Sequence, residues 1–178
     1  MTSHLKAILF AFCCLGLPAS ADSKPSLTRE SLPIDFVTAE KLLRPFVNAF
    51  LSKQTGYVVQ TYLICVGGRG GFFVQYDAIL CLPKDSFNLY AAYHDGEPFG
   101  SGVFAKASVY AVFRKADLPE QPIQGDYDET TAGAAWEWGG ELSWIEKDDD
   151  TLIIGGGAIG IGVNGFAGRT LKTFRALF

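Results

Sequence analysis

The dominant pattern in the chain is an alternation of apolar and polar residues that begins near Tyr57 and continues almost to the C-terminus. Alternation with a period of two places successive side chains on opposite faces of a β-strand. Glycines and aromatic residues are frequent throughout this region, which is typical of strands joined by tight turns. The pattern therefore predicts a mainly β (α+β) fold, a small antiparallel barrel or sandwich of about seven to eight strands.

Before the strands, residues 36–54 show the spacing of one amphipathic helix. Asp35 is a suitable N-cap, and Gly56 is placed to end the helix. Pro45 lies inside the segment and should kink or divide the helix there. We expect the helix to pack on the sheet through an apolar stripe, which is formed by Phe36, Ala39, Leu43, Phe46, Val47 and Phe50.

The first strands form a predicted hairpin. Residues 57–66 are rich in β-branched and aromatic residues, the glycine-rich segment 67–71 turns the chain, and residues 72–82 return beside the first strand. Residues 87–93 are a predicted third strand. From Val103 to Phe113 the alternation sets valines and alanines on one face and Lys106 and Ser108 on the other.

The tryptophans are concentrated on one predicted strand, residues 134–145. Trp136, Trp138 and Trp144 share one face of it, and Glu137 and Glu141 share the other. Two interpretations remain open: the tryptophans fill the core of the barrel, or they form a stacking platform for sugar rings or line an apolar ligand cavity. The adjacent pair Gly139–Gly140 predicts a bulge or sharp bend in mid-strand.

The C-terminal region is rich in glycine. Its small residues follow or alternate with larger apolar ones, namely Ile153, Ile159, Ile161 and Val163. A strand face lined by glycine lets another backbone or a large aromatic side chain approach closely. Residues 170–178 are a predicted final strand.

The N-terminus has the three parts of a secretory signal peptide. Lys6 precedes an apolar run at residues 7–17, Pro18 breaks the run, and Ala19–Ser20–Ala21 is a cleavage site of small residues. We expect residues 1–21 to be a signal peptide, 22–34 a flexible leader, and 35–178 a single β-rich domain. The form of the signal predicts a bacterial periplasmic or secreted protein.

Cleavage would leave two of the four cysteines, Cys65 and Cys81. An even pair in an oxidising compartment predicts a disulfide, worth about 3 kcal/mol. Removal of Lys6 would leave fourteen basic and nineteen acidic residues, a net charge of −5. This balance argues against nucleic acid or an anionic membrane surface as a partner.

Few residues offer catalytic chemistry. His94 would be the one histidine of the mature chain, and it is predicted to lie in a solvated turn. One histidine cannot form a His-rich zinc site, and the chain has no Gly-x-Ser-x-Gly motif for a serine nucleophile. We therefore expect no enzymatic activity, no metal site and no cofactor.

Acidic residues are the remaining candidates for chemistry. Paired carboxylates could serve glycoside hydrolysis, and clusters of them could bind calcium. The expectation is nevertheless that they lie in solvated turns or on an exposed strand face. The groups in question are Asp126, Asp128 and Glu129, then Asp148, Asp149 and Asp150, and the pair Glu137 and Glu141.

Scattered positions resemble a family of small secreted proteobacterial proteins, the domain-of-unknown-function 992 family. The likeness covers about residues 62–171, and its most distinctive positions are Cys65 and Cys81 with the glycines between them. Residues 109–113 and the segment Gly125–Asp126–Tyr127 resemble the central strand of that family and the sequence that follows it. The resemblance implies a periplasmic β-rich domain and supplies no activity.

Three functional hypotheses follow. The first is an exported, non-enzymatic envelope protein with a structural or binding role. The second is a small β-barrel that binds an apolar or carbohydrate ligand through Trp136, Trp138 and Trp144. The third is a small outer-membrane barrel, which the aromatic C-terminus ending at Phe178 weakly suggests.

Overall fold

The computed structural model describes residues 32, 34–86, 88–94, 99–147 and 153–177. The predicted signal peptide and nearly all of the predicted leader lie outside these residues. Among them are one helix, α1 (Phe36–Lys53), and five strands. The strands are β1 (Tyr57–Pro83), β2 (Tyr90–His94), β3 (Phe99–Lys115), β4 (Gly125–Glu146) and β5 (Ile153–Ala176). The mainly-β prediction is confirmed, but the strands are fewer and much longer than the sequence pattern predicts.

Helix α1 packs on the outside of the sheet, as its apolar stripe predicts. Its N-cap is Asp35, whose carboxylate accepts a 2.8 Å hydrogen bond from the amide of Thr38. The helix continues through Pro45 without dividing. Its buried face rests on β3, where Ala111 and Phe113 are fully buried.

All strand pairs that join different strands are antiparallel, and the pairings close a circuit through β1, β3, β5 and β2. β2 and β3 have the same two partners, β1 and β5. β3 pairs with one stretch of each partner, and β2 pairs with a stretch further along it. β4 lies on the other side of β5 and pairs with it along its whole length. The sheet would therefore have two open edges, β1 and β4, if these strands were straight.

β1 closes its own edge because it doubles back. The amide of Lys84 donates a 2.9 Å hydrogen bond to the carbonyl of Tyr62, and Cys65 is bonded to Cys81. Gly67 lies against the backbone of Ala78 and Ile79. These contacts centre on Phe73, whose φ of 68° is the positive value that such a turn requires. The predicted disulfide is confirmed, and the chain doubles back as predicted. The predicted position of the turn is wrong, because the glycines of residues 67–71 lie in the strand and pair with β3, and the chain turns at Phe73 instead.

β4 doubles back in the same way. The hydroxyl of Thr131 lies 3.2 Å from the carbonyl oxygen of Leu142 and 3.0 Å from the hydroxyl of Ser143. Gly133 lies against the backbone of Glu141. The centre of the turn is Glu137, with a φ of 66°. The sharp bend predicted near Gly139 is confirmed.

We call the halves of β1 and β4 on either side of their bends the arms of these strands. Because β5 pairs with both arms of β4, the whole sheet is folded over into a barrel. Its two former edges are each paired with themselves, which leaves no exposed strand edge along them. We call the folded end of the barrel, around Phe73 and Glu137, the tip. The opposite end, where β1 and β3 meet their following loops, is the rim.

A large aromatic side chain approaches the glycine-rich strand closely, as predicted, at Gly155. A methyl group there would overlap the Phe46 ring, and its atom would also lie 3.2 Å from the Trp144 ring. Gly165 lies on the same strand, where a methyl group would meet nothing within 4 Å. The contact at Gly155 therefore seats the helix on the barrel.

We predict that Gly155→Ala lowers the free energy of unfolding by about 1–3 kcal/mol, because overpacking displaces the Phe46 ring. Urea unfolding followed by circular dichroism measures this change. Gly165→Ala is the matched control and should be neutral or slightly stabilising. Equal effects of the two substitutions would contradict the proposed contact.

Candidate functional site

In the half of the barrel nearer the tip, the alternation along the strands places apolar residues outside and charged residues inside. Nearer the rim, the interior is an apolar core that includes Leu63, Tyr110 and Phe174. In β3 the side chains of Lys106 and Ser108 point inward, while Val103 is 68% exposed. In β4 Glu141 is buried, while Leu142 is 74% exposed. The periodicity predicted from the sequence is confirmed, but the charged face is the interior one.

Six charged side chains, each with no solvent-exposed area, form an ion cluster inside the barrel. They come from four strands, β1, β3, β4 and β5, and from both halves of β1 and of β4. They are Arg69, Asp77, Lys106, Glu129, Glu141 and Lys172.

Lys172 and Lys106 are the centres of this ion cluster. The Lys172 ammonium lies 2.8 Å from the Asp77 carboxylate and 3.0 Å from that of Glu129. The Lys106 ammonium lies 2.8 Å from both carboxylate oxygens of Glu141 and 3.2 Å from Asp77. Asp77 therefore joins the two lysines, and the contacts connect residues of β1, β3, β4 and β5 through the interior of the barrel.

Arg69 completes the ion cluster beside the bend of β1. Its guanidinium lies 3.3 Å from Glu141 and 3.5 Å from Asp77. The same guanidinium lies 3.9 Å from the centre of the Phe166 ring, a cation–π distance. The three cations thus balance the three carboxylates, and the charges of the interior sum to zero.

The pKa of Lys172 shows how strongly the carboxylates act. Burial favours the neutral amine, but the carboxylates of Asp77 and Glu129 outweigh burial and raise the pKa of Lys172 above its ordinary value. The pKa of Lys106 is also raised, because Asp77 and Glu141 oppose the same burial effect. Burial raises the pKa of the adjacent Tyr110 hydroxyl. At neutral pH both lysines are charged and Tyr110 is neutral.

The three carboxylates lie close enough together to suggest a metal site, since one oxygen from each falls within 4.8 Å of the others. The two ammonium groups and the guanidinium already contact these oxygens. A divalent cation would have to displace at least one of them against strong ion pairing. The chemistry of the ion cluster is therefore that of a structural salt-bridge network.

The ion cluster corrects the expectation that the acidic residues are solvated. Glu129 and Glu141 are buried, and Asp128 and Glu137 are exposed, so the two acidic groups within the described residues are each split between the two sides of β4. The prediction that Glu137 and Glu141 share a face is wrong, because β4 bends at Glu137. Asp148, Asp149 and Asp150 lie outside the described residues. The sequence did contain a signal for this burial. Lys106 and Glu141 alternate in step with the buried residues of their strands, so they lie on the same face as those residues.

The outer wall at the tip is apolar. On β5, Val163 pairs with Val103 of β3 on one side and with Trp136 of β4 on the other. Two residues earlier on β5, Ile161 pairs with Trp138 of β4. Their exposed fractions range from 53% to 79%. We call this surface the tip patch, which consists of Val103, Trp136, Trp138, Ile159, Ile161 and Val163.

Two of the three predicted ligand-binding tryptophans belong to this patch. Trp136 is 79% exposed and Trp138 is 70% exposed, so the interpretation that they fill the core is wrong. Trp144 lies apart from them, in edge contact with Phe46 and close to Phe50 under helix α1. The structure therefore brings together Trp136 and Trp138 but not Trp144.

A depression near the tip is shallow and open, with a volume of about 430 Å³. Phe72, Phe73 and Phe166 line it together with small residues of β3 and β5. Its position beside the tip patch extends the apolar surface of that end. His94, the remaining candidate for chemistry, is the last residue of β2.

Comparison with known proteins adds no relative. No protein-family model, curated protein or solved structure matches the chain. The resemblance to the domain-of-unknown-function 992 family therefore stays a prediction. Within the described residues, no helix has the length and apolar character needed to cross a membrane.

We predict that Lys172→Met lowers the free energy of unfolding by about 3–5 kcal/mol, because it leaves buried carboxylates with too few cations. The double variant Lys172→Met/Glu129→Gln restores a neutral interior and should be more stable than the single variant. Urea unfolding of the three proteins provides the comparison. A double variant that is less stable than Lys172→Met would contradict the charge-balance explanation.

Proposed function

We propose that the protein is a non-enzymatic component of a bacterial cell envelope that acts by contact through its tip patch. The observation that carries this proposal is the exposure of large apolar side chains on adjacent strands, led by Trp136 and Trp138. Soluble monomers rarely expose contiguous apolar patches of this kind unless the patch binds something.

Export supports the location of this contact. The sequence of residues 1–21 has the form of a secretory signal, and the Cys65–Cys81 disulfide is compatible with an oxidising compartment. The mature protein would therefore meet its partner outside the cytoplasm.

The interior of the barrel favours contact over catalysis or enclosure of a ligand. The ion cluster occupies the interior nearer the tip, and an apolar core occupies the interior nearer the rim. The carboxylates of the cluster are held by lysines and an arginine rather than directed at an open cleft. A sugar or apolar ligand would find its aromatic surface on the outside, at Trp136 and Trp138. We therefore favour an external binding surface over the ligand-enclosing barrel of the second hypothesis.

We predict that the variant Trp136→Ser/Trp138→Ser co-sediments with isolated bacterial envelopes about tenfold more weakly than the wild type, because it removes two large apolar contacts. Both side chains are exposed, so the variant should keep the wild-type melting temperature. Leu171→Ser is the matched control, since Leu171 is 52% exposed but lies towards the rim, next to the partner strand's Asp128.

The proposal requires the two variants to differ in how strongly they co-sediment with envelopes. Loss of sedimentation in the tryptophan variant with retention in Leu171→Ser supports contact through the tip patch. Equal sedimentation of all three proteins would contradict it.

A further inference from the structure

We infer that the partner of the tip patch is the hydrocarbon of a lipid bilayer, into which the tip inserts without spanning it. This inference rests on the proposed function and names the partner of the same surface. It follows from three features of the tip: its outward charge, its paired backbone and its neutral interior.

The first feature is that the described residues of the tip carry almost no outward charge. Residues 155–168, which form the middle of β5, contain no charged residue. On the neighbouring strands Arg69, Lys106 and Glu141 all point inward. Among the described residues of the tip, Glu137 is the one exposed charge. A protein partner normally meets a polar rim around an apolar centre, whereas this surface complements hydrocarbon.

The second feature is backbone pairing at the tip. Hydrocarbon tolerates only backbones whose polar groups are hydrogen-bonded within the protein. The two strands that would otherwise form open edges, β1 and β4, each lie against their own returning half near the bend: Gly67 lies against the backbone of Ala78, and Gly139 lies against the backbone of Ala134. The continuous ladders of β3, β5 and β4 pass directly through the tip patch.

The third feature is the ion cluster. Charges in a low-dielectric environment must be paired, and here three cations face three carboxylates with no solvent-exposed area. Lys106 and Glu141 lie on the strands that carry the tip patch, so this neutralisation occurs behind the surface that would enter the lipid.

The charged wall nearer the rim limits the depth of insertion. Asp126 and Asp128 on β4 and Arg169 and Arg175 on β5 are exposed on the outer wall. Helix α1 covers another part of the wall through Phe46 and Phe50. A barrel that spanned the bilayer would bring these charges towards hydrocarbon, so we infer partial insertion in place of the outer-membrane barrel hypothesis.

The test uses the full chain and vesicles of zwitterionic phosphatidylcholine. We expect the protein to float with the vesicles, and we expect lipids brominated on the acyl chains to quench its tryptophan fluorescence. Trp136→Phe/Trp138→Phe keeps an apolar tip but leaves Trp144 as the one tryptophan. It should float like the wild type while losing most of the quenching, which distinguishes tip insertion from attachment through the N-terminal apolar run.

Three further variants, one of which changes the charge of the tip, sharpen the test. Glu137→Gln should strengthen vesicle binding several-fold, because it removes a carboxylate from the inserted surface. Trp136→Ser/Trp138→Ser should weaken it at least tenfold, and Leu171→Ser should leave it unchanged. Binding should not require anionic phosphatidylglycerol, and high salt should not abolish it, because the patch carries no basic residue.

Three results would overturn the inference. They are flotation without quenching, no flotation on any vesicle, or a dimer in sedimentation equilibrium that Trp136→Ser/Trp138→Ser dissociates. If vesicle binding fails while envelope sedimentation still depends on the tip patch, the partner is an envelope component other than lipid and the proposed function stands. If both assays are insensitive to the patch, the proposed function fails as well.

Discussion

The salt-bridge network inside the barrel is the interaction on which the other features depend. Asp77 contacts both Lys106 and Lys172, and these lysines also contact carboxylates on the two arms of β4. The contacts join four strands through the interior of the barrel, so they stabilise the fold-over of the sheet as well as neutralising one another's charge. Loss of a single partner would leave an uncompensated buried charge, which is far more costly than an unmade surface ion pair.

Towards the tip, charged residues occupy the interior, and apolar residues of the same strands lie on the outer wall. Near the rim, helix α1 covers part of this surface, where Phe46 and Phe50 contact Phe113 and Trp144. At the tip nothing in the described part of the chain covers Trp136, Trp138 or Ile161. The exposed patch is therefore a consequence of the polar interior, and the proposed contact with lipid explains why such a surface would be retained.

Local features of the fold were predictable from the sequence because they depend on neighbouring residues. The Asp35 cap, the amphipathic helix, the Cys65–Cys81 bridge and the bend near Gly139 all follow from short-range patterns. The direction of the strand faces was not predictable in this way. Alternation shows that Trp138 and Glu141 lie on opposite faces, but which face is interior depends on whether Glu141 finds Lys106 and Arg69, residues 35 and 72 positions away.

The central claim is that the long strands double back and place their charges inside a closed wall. The distance between spin labels on the two arms of β4, at positions 128 and 146, tests this most directly, with genetically encoded labels that spare the native cysteines. The account predicts a label separation of about 20 Å or less, because neighbouring strands lie about 5 Å apart. A straight strand would separate these positions by roughly 60 Å at about 3.3 Å per residue, and such a distance would contradict the account.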